Sequence, residues 1–368
     1  MGSIESYQSA KGKRYRVRFR KPDHSQGQKR GFSTKRDAEI FLSTIEVSKH
    51  RGDFIDPAAG HLRVGAFGPE WISAQSHLKA STFKALESTW RTWVEPRWGR
   101  VPLDEVRFRE VQTWVSDISQ ERSATTVGRA YGVLAGLLDA AVRDRRIHSN
   151  PARGVKLPRK SKKRRVYLSH AQVRQLALES KSRATLVYFL AYTGVRWGEA
   201  AGVQVKDIDF DRRRVSIVDN AVDVGGTIVV GTPKTHRIRT VPFPAFLEES
   251  LRAQVATLRR DDLVFGGGLE GHLRLPHSVR GWFEAAIQRV QKTDPDFPRL
   301  TPHDLRHTAA SLAVASGANV KAVQRMLGHA SAAMTLDVYA DLFEEDLDRV
   351  GQALDAARRI AVSDAPES

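Results

Sequence analysis

The strongest constraint on this chain is a ten-residue stretch, Lys156 to Arg165, in which seven residues are basic and none is acidic. Charges of one sign at that density repel one another, and a proline interrupts them, so the stretch does not pack into a core. It is either a solvated tether or a segment that lies along a polyanion, and the basic regions on both sides favour the second. The chain is therefore read as separate bodies joined by a linker, 156–165, in keeping with its 368 residues.

Ahead of the linker the hydrophobic period changes once. Lys13 to Arg20 alternates like a half-buried strand: Tyr15, Val17 and Phe19 face a small core, while Arg14, Arg16, Arg18 and Arg20 face out. Lys29 to Phe32 is read as a returning strand. Thr34, with Asp37 three residues on, starts a helix striped by Ala38, Phe41, Leu42 and Ile45. Residues 1–58 thus predict a three-stranded sheet backed by one helix. The arginine ladder is either a solvated edge or a DNA-contacting face. With 12 Lys or Arg against 5 Asp or Glu in the first 50 residues, DNA contact is the expectation.

From 62 to 155 the period is helical. Phe83, Leu86, Trp90, Trp93 and Val94 form one apolar stripe, Val111, Trp114, Val115 and Ile118 a second, and Tyr131, Leu134, Leu137, Leu138 and Ala141 a third. These predict an all-α body of four or five helices with its tryptophans in the core. Beyond the linker, 166–350 reads as mixed and mainly helical, with a small antiparallel sheet built from strands around 203–208, 214–218, 221–224, 227–230 and 239–241. Helices are expected near 184–192, 244–258, 277–292, 302–315, 320–327 and 332–342, and 351–368 is a tail. The fold class is multidomain α+β.

Lys and Arg total 59 against 42 acids, a formal +17 with a pI near 10.2, which argues for a nucleic-acid partner. Cysteine is absent, which excludes disulfides and thiolate zinc sites. No apolar run approaches the roughly 20 residues of a membrane span, and Met1 to Ala10 lacks a secretory leader. No membrane partner is expected, and the cytoplasm is the expected location.

Five short segments concentrate chemically useful side chains: Thr193-Gly-Val-Arg-Trp-Gly-Glu199, Pro233-Lys-Thr235, His303-Asp-Leu-Arg-His307, Leu327-Gly-His329 and Leu336-Asp-Val-Tyr339. Together they offer two arginines, a lysine, histidines and a tyrosine, a set suited to a phosphodiester. Arginines clamp non-bridging oxygens and stabilise a five-coordinate phosphorus. Histidine moves a proton near neutral pH, and tyrosine attacks phosphorus covalently. Each element also has a plainer reading. Arg196 alone is a salt bridge, His303 with His307 has the spacing of a zinc pair, and Tyr339 is a core aromatic. The zinc reading lacks HExxH, thiolates and a nearby acidic third ligand.

Taken in order, Arg196, Lys234, His303-x-x-Arg306, His329 and Tyr339 resemble the tyrosine recombinases, such as bacteriophage integrases and chromosome-dimer resolvases, over roughly Val166 to Val350. The resemblance implies an arm-type DNA-binding domain at 1–58, a helical core-binding domain at 62–155 and a catalytic domain at 166–350. It implies that Tyr339 attacks the scissile phosphate to give a 3′-phosphotyrosine and a free 5′-hydroxyl. Arg196 and Arg306 would hold the phosphate oxygens, Lys234 protonate the leaving oxygen, His303 assist the tyrosine's proton transfer and His329 hydrogen-bond the phosphate. Glu199 would steady Arg196 by a buried pair, and His307 would be structural. No metal or nucleotide cofactor is required. Four protomers would act on duplex DNA carrying core-type and arm-type sites, with a host DNA-bending protein and an excisionase as further partners. Lys160, Lys162, Lys163 and Arg164 of the linker join the arginine ladder as expected DNA contacts. Transposon or conjugative-element integrases, resolvases, a type IB topoisomerase and an inactive DNA-binding regulator are the alternatives.

Overall fold

The computed structural model describes residues 2–10, 12–22, 24–160, 165–232, 238–266 and 271–339, together with 351, 354–356, 358 and 359. Lys162, Lys163, Arg164 and Lys234 lie outside the described residues. The chain divides into two compact units, Met1–Lys162 and Lys163–Ser368.

In the first unit, β1 (Ser3–Ser9), β2 (Gly12–Arg20) and β3 (Gln26–Phe32) form an antiparallel sheet in that order. Val17 and Phe19 are buried on one side, as the alternation requires, against Ala38 and Ile45 of α1 (Lys35–Arg51). Thr34 caps that helix by accepting from the Asp37 amide at 3.1 Å. The Asp37 carboxylate also accepts from the Ser33 hydroxyl at 3.3 Å.

The helices α2 (Val64–Ser73), α3 (Ala80–Thr89), α4 (Phe108–Glu121) and α5 (Ala124–Arg143) bury a separate core. Trp90, Trp98 and Trp114 lie inside it, with Trp98 and Trp114 edge to face at 5.8 Å. A wide π-turn, Trp90–Val94, continues α3 into the short helix Glu95–Trp98. Pro96 supplies no amide for the carbonyl four residues back, and the widened turn absorbs that missing bond. The basic run begins pinned to α4, because the Gln112 side chain accepts from the Lys156 amide at 2.9 Å and donates to its carbonyl at 3.2 Å.

The second unit opens with α6 (His170–Glu179), capped reciprocally by Ser169 and Gln172, then α7 (Ala184–Thr193) and α8 (Trp197–Gly202). Strands β4 (Ile208–Asp209), β5 (Arg214–Ile217) and β8 (Arg239–Pro242) pair antiparallel in the order β4-β5-β8. Between them β6 (Asn220–Val224) and β7 (Thr227–Gly231) form a hairpin of their own. Helices α9 (Glu248–Val255), α10 (Trp282–Gln291), α11 (Asp304–Ala315), α12 (Val320–Leu327) and α13 (Ala332–Tyr339) complete the unit. Val187, Phe189, Val215, Ile217, Val241, Phe283 and Ile287 fill its main core, and Ala310, Val314, Val323, Leu327 and Tyr339 form a second cluster.

Some expected elements are shorter than the sequence pattern. The strand expected over 203–208 is confined to Ile208–Asp209, because the Asp207 carboxylate accepts from the Gln204 amide at 2.9 Å and closes a 3₁₀ turn. The helix expected from 277 begins at Trp282. His277 Nδ1 accepts instead from the Val279 and Arg280 amides at 3.2 and 3.3 Å, which holds a turn there. The segment 244–258 is split into a 3₁₀ turn, Ala245–Leu247, and α9.

Candidate active site

The site is assembled where α7, α11, α12 and α13 meet. Helix α7 stops at Gly194, whose φ of 64° is left-handed and where a Cβ would lie 2.7 Å from Leu327. That stop aims the next two residues, Val195 and Arg196, out of the helix. Helix α12 stops in the same manner at Gly328, with φ 66° and Arg239 packed where a Cβ would stand. His329 then leaves the helix end. The two Gly-x-Arg and Gly-His motifs are therefore helix terminators that bring functional side chains to one place.

Arg306, on the first turn of α11, joins the two terminators. It is 3% exposed, and it donates from Nη1 to the Gly194 carbonyl and from Nη2 to the Leu327 carbonyl, each at 2.6 Å. These carbonyls lie at helix ends without intrahelical partners, so a buried cation is satisfied there by otherwise orphaned acceptors. Burial, reinforced by the charge of Arg196, lowers the Arg306 guanidinium to about 9, which still leaves it protonated at neutral pH.

Arg196 is held by Glu199. Its Nη1 donates to Glu199 Oε1 at 2.9 Å, and its backbone amide donates to Oε2 at 2.8 Å. The buried pair expected from the sequence is therefore present, but it is half of the arrangement. Arg239 of β8 grips the same carboxylate with Nη1 at 3.0 Å and Nη2 at 2.6 Å, and its Nε donates to the Met326 carbonyl at 3.2 Å. Burial would raise the Glu199 carboxyl, but the hydrogen bond and charge of Arg239, with those of Arg196, hold it down at about 2.

Tyr339 ends α13 and is 1% exposed. Its hydroxyl lies 2.8 Å from His307 Nδ1, and the His329 ring stacks on it with centroids 6.3 Å apart. His329 Nδ1 is itself 2.9 Å from the Thr335 hydroxyl. Arg165, the last residue of the basic run, lies 6.0 Å over the Tyr339 ring and donates to the Val338 carbonyl. Burial pushes the Tyr339 phenol up to about 12, although Arg306 pulls the other way. Burial, then His303, takes His307 down to about 4, and burial, then Arg306, does the same to His329. Both rings are neutral at pH 7. In the tautomer that carries its proton on Nε2, His307 accepts a hydrogen bond from the phenol at Nδ1.

Of the expected residues, Arg196, Arg306, His329 and Tyr339 converge. His303 sits exposed at the N-cap of α11, with its ring 5.3 Å from that of His307. The other members of the expected DNA-binding set, Arg14, Arg16, Arg18, Arg20 and Lys160, belong to the first unit, where Arg18, Arg20 and Lys160 are exposed and Arg14 and Arg16 half-buried. Sequence reading missed Arg239 and Arg165, and it left His307 as a packing residue. Spacing carries no sign of Arg239: a lone arginine on a strand becomes informative only when its partner, 40 residues earlier, is known.

Two fixed arginines beside neutral histidines and a tyrosine are the equipment of phosphoryl transfer through a covalent phosphotyrosine, and the chain is a DNA strand-transferring enzyme of that class. Residues 166–346 match the phage integrase family, and this segment is a tyrosine recombinase domain of that family. The chain is 26% identical over 321 residues to the integrase of Mycobacterium phage D29, spanning 83% of this chain and 84% of that one. Its fold is similar to that of the Tn1549 transposon integrase bound to transposon right-end DNA. There the TM-score is 0.68 at 21% identity, over 79% of this chain and 100% of the other. It is also similar to lambda integrase in a tetramer bound to a Holliday junction, with a TM-score of 0.56 at 15% identity over 89% and 96% of the two chains. Among the described residues no helix is long and apolar enough to cross a membrane.

Proposed function

We propose that this site-specific recombinase is a phage integrase, which cuts and rejoins duplex DNA through a 3′-phosphotyrosine at Tyr339. The observation that carries the proposal is the meeting of Arg196, Arg306, His329 and Tyr339 from four separate motifs, with the tyrosine hydroxyl already hydrogen-bonded to a neutral histidine. Arg196 and Arg306 grip the non-bridging oxygens of the scissile phosphate. Their attachment to Glu199 and to two carbonyls places that positive charge before substrate arrives, so little reorganisation is needed as charge builds on phosphorus. The phenol oxygen attacks, its proton passes along the hydrogen bond to His307, and the leaving 5′-oxygen takes a proton from Lys234. His303, exposed at the start of α11, meets the incoming DNA, and His329 donates to the phosphate.

The bond formed to tyrosine replaces the phosphodiester broken, so strand exchange needs no nucleotide. Residues 1–58 serve arm-type sites, 62–155 core-type sites, and 166–350 the chemistry, with 156–165 along the backbone between them. The working assembly is a tetramer on two DNA sites in the cytoplasm of a bacterial host, assisted by a DNA-bending protein and an excisionase.

The test is recombination between a plasmid carrying DNA that flanks this gene and the host chromosome, read by sequencing junctions. Wild type gives defined junctions and Tyr339→Phe, which lacks only the attacking hydroxyl, gives none. Junctions from both proteins would remove Tyr339 from the mechanism.

A further inference from the structure

The outer face of the N-terminal sheet combines an acid with its arginines. In the strand register Glu5 stands opposite Arg16, while Arg16 and Arg18 stand opposite Arg30 and Gln28 on the other side. Side chains two apart on a strand share a face, so these residues share the face opposite Val17 and Phe19. Glu5 is the one acidic side chain among the described residues of this face. Its Oε2 accepts from Arg16 Nε at 2.7 Å and from Arg16 Nη2, and its Oε1 lies 3.5 Å from Arg18 Nη1. The side chains remain accessible, at 37% for Glu5, 26% for Arg16 and 44% for Arg18.

This acid acts oppositely on the two kinds of contact an arginine makes with DNA. A phosphate asks chiefly for positive charge, and a carboxylate among the arginines subtracts charge and repels the backbone. A guanine edge asks for two parallel donors in a fixed plane. A carboxylate across the Nε–Nη2 edge fixes that plane and leaves the Nη1 end of Arg16 to reach outward. Gln28 beside it offers the amide pattern that reads adenine.

We infer that Glu5 is a specificity-determining residue, which sets Arg16 and Arg18 in planes suited to base edges and weakens their use as phosphate contacts. The inference rests on the reading of 1–58 as a DNA-binding unit. Without Glu5 the same arginines swing freely, favour phosphates and bind DNA with less discrimination.

The test uses the full-length chain and a pool of short duplexes with randomised centres, sequenced after selection, with binding to an unselected duplex measured alongside. Replacing Arg16 and Arg18 together with alanine marks the motif read by this sheet, which disappears while motifs read elsewhere remain. Glu5→Gln is expected to keep that motif but flatten it by roughly tenfold at the affected bases, with unselected DNA bound as tightly as by wild type or more so. Arg16→Lys, which keeps the charge and loses the planar fork, is expected to flatten the motif in the same manner. A motif of full contrast in Glu5→Gln or Arg16→Lys, or an equal loss on selected and unselected DNA, overturns the role of Glu5. If the double alanine variant leaves every motif in place, the reading of this unit as DNA-binding fails first and takes the role of Glu5 with it.

Discussion

The arginines of the N-terminal sheet and those of the tyrosine site both meet carboxylates, but under different dielectric conditions. Glu5 and its arginines are open to water, where screening makes such a pair worth little in stability. Glu199 has a fully buried side chain, and the arginines on it are 26% and 10% exposed. In that interior the desolvation of each charge is large, so the cluster stands only because each group is hydrogen-bonded several times. The gain is position rather than stability. A cation that cannot relax into solvent keeps its place while a transition state forms, whereas on the open sheet the carboxylate only orients guanidiniums that stay accessible to DNA.

The contrast is broken most severely at Glu199. Glu199→Gln leaves Arg196 and Arg239 without their carboxylate, and we expect a loss of about 3–5 kcal/mol of stability in urea unfolding, with strand cleavage lost as well. An unfolding midpoint equal to wild type would mean that the cluster is not held by this charge. The same residue sets an acid limit. Its carboxyl is held at about 2 against an ordinary 4.5, so its contribution is complete above 4.5 and is lost as pH falls towards 2. That gap corresponds to roughly 3 kcal/mol. His307 and His329, held down at about 4 from 6.5, add a loss that begins earlier, as pH falls below 6.5. Glu199→Gln removes the lower part of this acid profile and retains the upper part.

A smaller effect is expected at His307. His307→Ala should slow formation of the covalent protein–DNA complex in single-turnover assays by about 10²-fold, with DNA affinity unchanged. Faster cleavage by the variant would invert the reading, since it would mean that the 2.8 Å contact restrains Tyr339 rather than serving it. The least change falls on the open sheet. Arg18→Ala should leave the melting temperature unaltered within error and weaken binding to the motif read by this sheet by about 1–3 kcal/mol, with little change in affinity for unselected DNA. A clear fall in melting temperature would show that the sheet's arginines, like those of the tyrosine site, hold the fold.

The sequence alone determined whatever depends on neighbours along the chain. Alternation placed Val17 and Phe19 inside and the arginines outside, and helical stripes buried Trp90 and Trp114. Glycine stops at 194 and 328 marked where Arg196 and His329 leave their helices. These are local rules of period and backbone conformation, and they survive folding because tertiary contacts act on them together rather than against them. The limits of short elements were less legible, because a single side-chain bond such as that of Asp207 or His277 outweighs a weak propensity. Tertiary structure alone decided the partners. It gave Glu199 a second arginine from β8, hung Arg306 between two helix-end carbonyls, and set His307 rather than His303 on the tyrosine hydroxyl. A buried charge takes whichever donor or acceptor the packed chain brings within about 3 Å, and that choice is made across tens to hundreds of residues, where no spacing rule reaches.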